Sequence, residues 1–339
     1  MNKITQHKQK VFGLLISILF ILLIIWNLDT EQLFETFNMF DYKVLFIFAP
    51  LYVFSLWLRG ARWKCLLCNS NKLSIQEAFL SFTACNTINS YFPARAGDFW
   101  RAYHIGKKLD ESKMKMLGSI ILERIIDGIS VLLILIFAVI TYCKKPWVLN
   151  ITYIATLLFL GSFTFFYILI KWNKIDVFFK KLQDIKILKR FEKGIDKTAE
   201  LVKSFLEGFQ SFNSLKCLSY AFSLSFIAWG IECYLTYVLI TGFSNEYGFS
   251  ISLFVISFIA LSTIIPSSSI FVGPYQFAYI FALSLYHIAK SNALAIAFIH
   301  QVIIMLITTV ITIFYFLTEN TKLENIKSEI EDKINAKNA

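Results

Sequence analysis

Charged side chains within strongly apolar sequence are the residues of this chain whose type and spacing could do chemistry. Residues 86–127 place several of them between two long apolar segments and inside the next one. A charge at the bilayer centre costs roughly 2.5–3.5 kcal/mol on insertion scales, so such residues usually pair with one another or line a polar path. We therefore expect ion pairs or a polar path in this stretch. The residues are Arg95, Asp98, Arg101, Glu123, Arg124 and Asp127.

A further carboxylate lies deep in a later apolar segment, predicted over residues 218–242. Glu232 is about 21 Å from the start of that segment at 1.5 Å per residue, so it needs a partner or a proton. Pairing with Arg124 or Arg95, a role as a proton carrier, and a neutral buried carboxyl group are the alternatives. Glu123 is only about 9 Å from the predicted cytoplasmic end of its helix, so a side chain that snorkels to the interface is an alternative for it.

The composition predicts an integral membrane protein that is all-α. Of the 339 residues, 57% are hydrophobic and 17% aromatic, and the mean hydropathy is +0.61, which excludes a soluble core. Several apolar runs exceed the roughly 18 residues of a spanning helix, and strand-type alternation is absent. The net charge of +10 comes from basic residues in loops beside apolar segments. Contact with anionic headgroups explains this charge, and nucleic acid is not expected as a partner.

The loops predict a multi-pass protein of the cell membrane with about 7–9 membrane segments and with both termini in the cytoplasm. Arg59 and Arg62, near the end of the second span, are interpreted as snorkelling anchors. Residues 171–216 form a predicted cytoplasmic linker with one or two amphipathic helices on the inner leaflet, and residues 323–339 form a short cytoplasmic tail. Full spans are predicted at 11–27, 44–63, 117–142, 147–170, 218–242 and 293–316.

Two apolar segments are interrupted by polar residues, prolines and glycines. The first, residues 74–92, begins with a capping box of Ser74 and Glu77, and a full crossing would put the basic loop after it outside the cell. A re-entrant helix removes this conflict and implies a polar cavity. The second, in residues 250–289, enters from the opposite face, so an inverted repeat around a midplane site is predicted. The residues at the two turns are Asn89, Pro93, Gly97, Pro266, Ser267, Ser268, Gly273, Pro274 and Gln276.

Signatures of metal, redox and hydrolytic chemistry are weak in this sequence. Cys65 and Cys68 form a CxxC, but no second pair and no nearby His accompany them, so they are interpreted as reduced packing cysteines. The sequence has no Asp-x-Asp, no HExxH and no glycine-rich phosphate loop. We therefore predict no metal site and no cofactor, and an enzyme is the less favoured class.

The polar residues of both broken segments resemble the motifs of a known family. Residues 265–276, which read IPSSSIFVGPYQ, resemble the second motif of the lysylphosphatidylglycerol synthase transmembrane (flippase-like) family. Departures from the family pattern are Asp98 and Gln276 where Glu is common, and His300 with Gln301 where Arg is often found. The first motif of that family is matched by Asn89, Pro93, Arg95, Gly97, Asp98 and Arg101, followed by Glu123, Arg124 and Asp127.

The resemblance implies a flippase-like transmembrane domain over residues 1–322, which moves an anionic, aminoacylated or polyprenyl-linked lipid between leaflets. In the bifunctional members of the family a soluble aminoacyl transferase domain follows. This chain ends soon after its last predicted helix, so no such domain is expected.

Three hypotheses follow for the function. In the first, a lipid transporter, the guanidinium groups of Arg95, Arg101 and Arg124 bind the lipid phosphate. The carboxylates then hold these arginines or move protons, and the two broken segments gate a cavity. The carboxylates are Asp98, Glu123, Asp127 and Glu232.

The second hypothesis is an enzyme acting on a phospholipid or polyprenyl headgroup, with Asp98 and Glu123 as acid and base. The third is an accessory subunit of a separate lipid-modifying enzyme, with the charges serving as contacts between helices. A membrane lipid is the expected ligand in the first two. The sequence leaves a homo-oligomer open.

Overall fold

The computed structural model describes residues 31, 35, 38–67, 72–92, 95–143, 145–172, 192–243, 247–263 and 273–318. Within these ranges the chain is helical and has no strand, so the all-α prediction is confirmed. The α-helices in chain order are α1 (Leu45–Leu66), α2 (Ile75–Tyr91), α3 (Ala96–Leu109), α4 (Lys113–Tyr142), α5 (Pro146–Trp172), α6 (Glu192–Glu207), α7 (Leu215–Thr241), α8 (Ser250–Ser262), α9 (Pro274–Leu283) and α10 (Lys290–Thr318).

Side chains cap several of these helices at their first turn, where backbone N–H groups lack helical partners. The Ser74 hydroxyl accepts from the Glu77 N–H at 3.1 Å, so the predicted start of α2 is confirmed. Ser112 caps α4 and Ser214 caps α7 in the same way. Pro146 opens α5, where its missing N–H is not needed.

Five of the described helices are long and apolar enough to cross a membrane. They correspond to five of the six predicted full spans, and the remaining one, at residues 11–27, lies outside the described residues. The multi-pass helical class is therefore confirmed, while the total of 7–9 segments stays a prediction. The five helices are Tyr42–Leu66, Lys113–Tyr142, Pro146–Lys171, Leu215–Thr241 and Lys290–Thr318.

Helix α4 is central to the packing and α5 is peripheral. Helix α4 contacts α1, α3, α5, α6, α7 and α8. Of the residues in its apolar 18-residue stretch, 67% are buried within the protein. The corresponding figure for α5 is 6%, so α5 presents nearly all of its apolar surface outward, as a lipid-facing helix does. Helices α1 and α7 form the most extensive helix pair, and both border α4.

Four shorter helices lie in or beside the two regions that were predicted to re-enter the membrane. Helices α2, α8 and α9 lie within those regions, whereas α3 occupies a stretch that was predicted to be a basic loop, so that part of the prediction is wrong. Helices α2 and α3 have 17 and 14 residues, and α8 and α9 have 13 and 10. At 1.5 Å per residue each is shorter than the roughly 30 Å of hydrocarbon thickness. The members of each pair pack on one another, and α10 joins the two pairs because it contacts both α2 and α9.

The predicted linker at residues 171–216 contains helix α6, and residues 173–191 of it lie outside the described part. Helix α6 and the turn after it pack closely on the first turns of α4. A Cβ added at Gly118 would lie 2.0 Å from the Phe205 carbonyl oxygen, and one at Gly208 would lie 2.3 Å from the Lys115 carbonyl oxygen. The two backbones therefore meet at a crossing that only glycine permits.

Candidate functional site

The turn between α2 and α3 is built by Asn89 and Gly97. The Asn89 side-chain oxygen accepts from the Gly97 N–H at 2.8 Å, and its amide group donates to Asp98 Oδ1 at 3.1 Å. A Cβ at Gly97 would lie 2.1 Å from the Cys85 carbonyl oxygen, so glycine is required for this close approach. The turn residue Pro93 lies outside the described residues. The turn thus fixes Asp98 in the first turn of α3.

Arg95, Asp98 and Arg124 form an ion-pair group at this turn, which we call the outer cluster. Arg124 Nη2 donates to Asp98 Oδ1 at 3.1 Å, and Arg95 Nε is 3.5 Å from Asp98 Oδ2. The side chain of Arg95 is 40% exposed and that of Arg124 is 27% exposed. One carboxylate therefore serves two arginines that surrounding groups can reach. The Nε atoms of both arginines are buried and make no hydrogen bond among the described residues, although Arg95 Nε is within ion-pair distance of Asp98.

The ionisation of Asp98 is controlled by these neighbours. Burial raises the pKa of a carboxyl group, but the charges of Arg124, Arg95 and Arg101 outweigh that effect and hold the pKa of Asp98 well below its usual range. The thiol of Cys85 adds a hydrogen bond to Asp98 Oδ1 at 3.2 Å. Asp98 is therefore a charged residue at neutral pH, as its predicted role as charge partner requires.

A second and larger ion-pair group lies between α1, α3, α4 and α7, and we call it the inner cluster. Its members are Arg59, Arg62, Arg101, Glu123, Asp127 and Glu232.

Arg62 is at the centre of the inner cluster. Its Nη2 donates to Glu123 Oε1 at 3.0 Å and to Asp127 Oδ2 at 2.9 Å, and its Nη1 donates to Asp127 Oδ1 and to the Ser225 hydroxyl. Asp127 Oδ1 also accepts from Trp229 Nε1 at 2.8 Å. Arg62 and Glu123 are 0% exposed. The snorkelling interpretations of both residues are therefore wrong, because their side chains end in the protein interior.

The buried carboxylate of Glu232 is paired with a different arginine from those expected. Arg59 Nη2 is 3.6 Å from Glu232 Oε1, and Ser55 donates a hydrogen bond to the same oxygen at 3.0 Å. Of the alternatives given for Glu232, pairing with Arg124 or Arg95 is wrong, because the structure pairs Glu232 with Arg59 while the other two arginines pair with Asp98. Arg59 is buried rather than snorkelling, and its guanidinium stacks on the Trp229 ring.

Arg101 belongs to the inner cluster and is completely enclosed. Its Nη2 donates to Glu123 Oε2, and its guanidinium carbon lies 4.2 Å from the centre of the Trp63 ring. Trp63 is held in turn by a hydrogen bond from its Nε1 to Ser119. Because Arg101 is 0% exposed, no phosphate can reach it in this conformation, unlike Arg95 and Arg124.

The two clusters differ in their balance of charge. The inner cluster contains three arginines and three carboxyl groups, so its positive and negative groups are equal in number. The outer cluster contains two arginines and one carboxylate, so it carries one excess positive charge. An excess cation whose guanidinium groups are partly exposed is the arrangement expected of an anion-binding site.

The second predicted turn is described from Gly273 onward, and Pro266, Ser267 and Ser268 lie outside the described residues. Gly273 has φ 103°, a conformation that favours glycine, and Pro274 follows at the first position of α9. The Gln276 side-chain oxygen accepts from the Gly273 N–H at 2.8 Å. Its amide donates to Gln301 on α10, so Gln276 ties the turn to the last span.

Arg59 and Arg62 are the residues of the site that sequence reasoning missed. Their spacing of three residues puts them on one face of α1, and the polar residues Ser55 and Tyr52 lie one and two turns before Arg59. A polar stripe that continues into an apolar span was the available signal.

Among the described residues, no group of three His, Cys, Asp or Glu side chains is arranged to hold a metal ion.

The fold and the site together define a polytopic helical membrane protein with a buried ion-pair cluster and a partly exposed cluster beside it that has more arginines than carboxylates. The sequence matches the family model described as the lysylphosphatidylglycerol synthase TM region over residues 10–312. The chain belongs to this family, as its motifs predicted. It is also similar to a UPF0104 membrane protein of Methanocaldococcus jannaschii, with 27% identity over 248 residues, which cover 71% of this chain and 98% of that protein. No solved structure matches the chain.

Proposed function

We propose that this protein moves an anionic lipid between the two leaflets of the cell membrane. The observation that carries the proposal is the charge imbalance of the outer cluster, whose Arg95 and Arg124 share Asp98 and remain partly exposed. A phosphate group would supply the missing negative charge and would accept hydrogen bonds from the partly exposed guanidinium groups of the two arginines. The substrate classes are anionic phospholipids, their aminoacylated forms and polyprenyl-linked phosphates.

The three arginines that were predicted to bind phosphate take different roles in this proposal. Arg95 and Arg124 contact the phosphate directly. Arg101 does not contact the phosphate. It pairs with Glu123, which immediately precedes Arg124 on α4. The inner cluster thereby fixes the helix that presents Arg124. The family description and the membrane character of the relative are compatible with a lipid substrate.

The proposed route uses the two pairs of short helices. In this proposal α2 with α3 and α8 with α9 enter the membrane from opposite faces and turn back within it, as halves of an inverted repeat. Their lengths, all below the hydrocarbon thickness, support this arrangement. Both termini then lie in the cytoplasm.

A cavity of about 70 Å³ between apolar side chains such as Ile240, Phe243 and Ile296 shares no lining residue with either cluster.

The test is a leaflet-exchange assay in liposomes that contain the purified protein. Fluorescent phosphatidylglycerol, a lysylated lipid and a polyprenyl phosphate are compared with zwitterionic phosphatidylcholine. The variants are Arg95→Ala and Arg124→Ala, with Lys107→Ala as a matched control because Lys107 is an exposed cation outside both clusters.

We expect exchange of at least one phosphate lipid by the wild type and by Lys107→Ala, and a loss of tenfold or more in the other two variants. Absence of exchange in the wild type, or equal exchange by all proteins, would refute the proposal. Exchange of phosphatidylcholine at the same rate would show scrambling without a role for the outer cluster.

A further inference from the structure

Two cysteines that are 152 positions apart in sequence meet at the ends of α1 and α7. The sulfur atoms of Cys65 and Cys217 are 3.4 Å apart. The Cys217 thiol donates to the Cys65 carbonyl oxygen at 3.2 Å, and the Cys65 thiol lies 3.8 Å from the Cys217 carbonyl oxygen. Both residues are partly exposed, so a small oxidant can reach them.

We propose that Cys65 and Cys217 form a redox-modification site, in which oxidation links α1 to α7 through a disulfide. Disulfide bonding requires the sulfur atoms to approach to about 2.05 Å, and side-chain rotation of two facing thiols can supply the remaining approach. The pair was not visible in the sequence, where Cys65 has Cys68 as its apparent partner.

The reaction needs an oxidant, and a hydroperoxide of the hydrogen peroxide class is sufficient. One thiolate attacks the peroxide oxygen, which gives a sulfenic acid and water after proton transfer. The second thiol then attacks the sulfenic sulfur and releases a second water as the S–S bond forms. Two thiols are oxidised by two electrons, and the peroxide is reduced to two waters.

The position of the pair favours a reversible response rather than a permanent bridge. Lys64 and Lys216 each precede one of the two cysteines, and basic residues at helix ends mark the cytoplasmic side. Thiols are kept reduced in that compartment, and disulfides there are usually transient. The reduced pair is therefore the resting state, and the disulfide is the state under oxidative conditions.

The consequence of the link lies in the two helices that it joins. Helix α1 carries Arg59 and Arg62 of the inner cluster, and α7 carries Glu232 with the supporting Ser225. Cys65 is three residues beyond Arg62, which is about one helical turn. Oxidation thus fastens the two helices next to the ion pairs that already hold them together, and it restricts their separation.

The experiment uses the purified full-length protein in detergent, treated with hydrogen peroxide or left reduced. Remaining thiols are alkylated and the protein is digested for mass spectrometry, and thermal unfolding is measured on both samples. C68S tests the competing CxxC partner, C217S removes the proposed link, and C65S is the second variant should C217S fold poorly.

We expect a Cys65–Cys217 linked peptide in oxidised wild type and C68S, absent from C217S and lost on treatment with dithiothreitol. The unfolding midpoint of oxidised wild type should rise by several degrees, while that of C217S or C65S should not change. A Cys65–Cys68 link, sulfinic acid without a link, or a link with an unchanged midpoint would overturn the proposal. None of these readouts depends on lipid exchange, so the proposal stands or falls separately from the transport function.

Discussion

The inner and outer clusters are neighbours made of the same kinds of residue, yet they differ in burial and in charge. Every charged side chain of the inner cluster is at most 9% exposed, whereas Arg95 and Arg124 of the outer cluster are 40% and 27% exposed. The inner cluster has as many carboxyl groups as arginines, and the outer one has fewer. The difference shows that a charged motif within a membrane domain can divide into a buried, charge-paired part and a partly exposed part with an excess of arginine.

The physical reason for the division is the environment of each group. Removing one member of a buried ion pair leaves an uncompensated charge, which typically destabilises a protein by about 3–5 kcal/mol. Fully exposed ion pairs contribute about 0–1 kcal/mol because solvent screens them. The pairs of the outer cluster, in which Asp98 is 13% exposed, lie between these two limits. The inner cluster should therefore control folding, and the outer cluster should control binding. Four predictions test this contrast.

The largest effect on stability is expected for Arg62→Ala, because Glu123 and Asp127 would both lose their common partner. We expect a loss of about 3–5 kcal/mol, seen as poor yield of monodisperse protein and a strongly lowered unfolding midpoint. The measurement is thermal unfolding in detergent beside Lys107→Ala. An unfolding midpoint equal to that of the control would mean that the inner cluster has no structural role.

A smaller loss is expected for Gly97→Ala, which forces a Cβ against the Cys85 carbonyl oxygen at the turn that holds Asp98. Such overpacking costs about 1–3 kcal/mol and should displace the outer cluster. Gly230→Ala is the matched control, because a Cβ at Gly230 meets no atom within 4 Å. We expect lipid exchange to fall sharply in the first variant only. Normal lipid exchange by Gly97→Ala would show that the close packing of this turn is not needed for the proposed function.

Arg124→Lys should change the free energy of unfolding by no more than about 1 kcal/mol. The lysine keeps a positive charge beside Asp98 at a partly exposed position. A lysine cannot form the paired donor fork of a guanidinium, so phosphate binding should weaken several-fold. Unfolding and lipid exchange are measured on the same preparation, with Arg124→Ala as the lower limit. Arg124→Lys that unfolds like Arg62→Ala would erase the distinction between the two clusters.

The smallest effect is expected from pH. The folded pKa of Asp98 lies below its unfolded value of about 3.9, so the stabilisation by its ion pairs is present above that value and disappears as pH falls through the folded pKa. Binding of phosphatidylglycerol in micelles should therefore be constant between about pH 5 and 8. A step in affinity within that range would assign the titration to a group other than Asp98.

Much of the fold was predictable because the length of each helix and its pattern of polar and apolar residues can be read from the local sequence. The start of α2 at Ser74 and the five long apolar helices followed from local patterns. The partner of Glu232 did not follow, because depth along one helix says nothing about which neighbouring helix faces it. Helix packing joins α1 to α7 and thereby brings Arg59 to Glu232.

The same limit explains the interpretation of Arg59 and Arg62. Both lie close to the end of an apolar segment, where snorkelling satisfies an isolated arginine. Their burial depends on carboxylates from α4 and α7, which are more than 60 positions further along the chain. The family motif predicted Arg95, Arg101 and Arg124 as one phosphate-binding set. The structure separates Arg101, which pairs with Glu123, from the other two, because the motif does not specify which helix faces each side chain. The role of that site in lipid transport stays a prediction.

Glu123 and Arg124 are consecutive residues of α4, yet one belongs to the inner cluster and the other to the outer cluster. Successive residues of an α-helix point about 100° apart, so each cluster depends on the exact angular position of this helix. Inserting or deleting one residue here would turn every later side chain of α4 by that angle. In relatives that keep both clusters, this part of α4 should therefore align without gaps, while length differences accumulate in the loops.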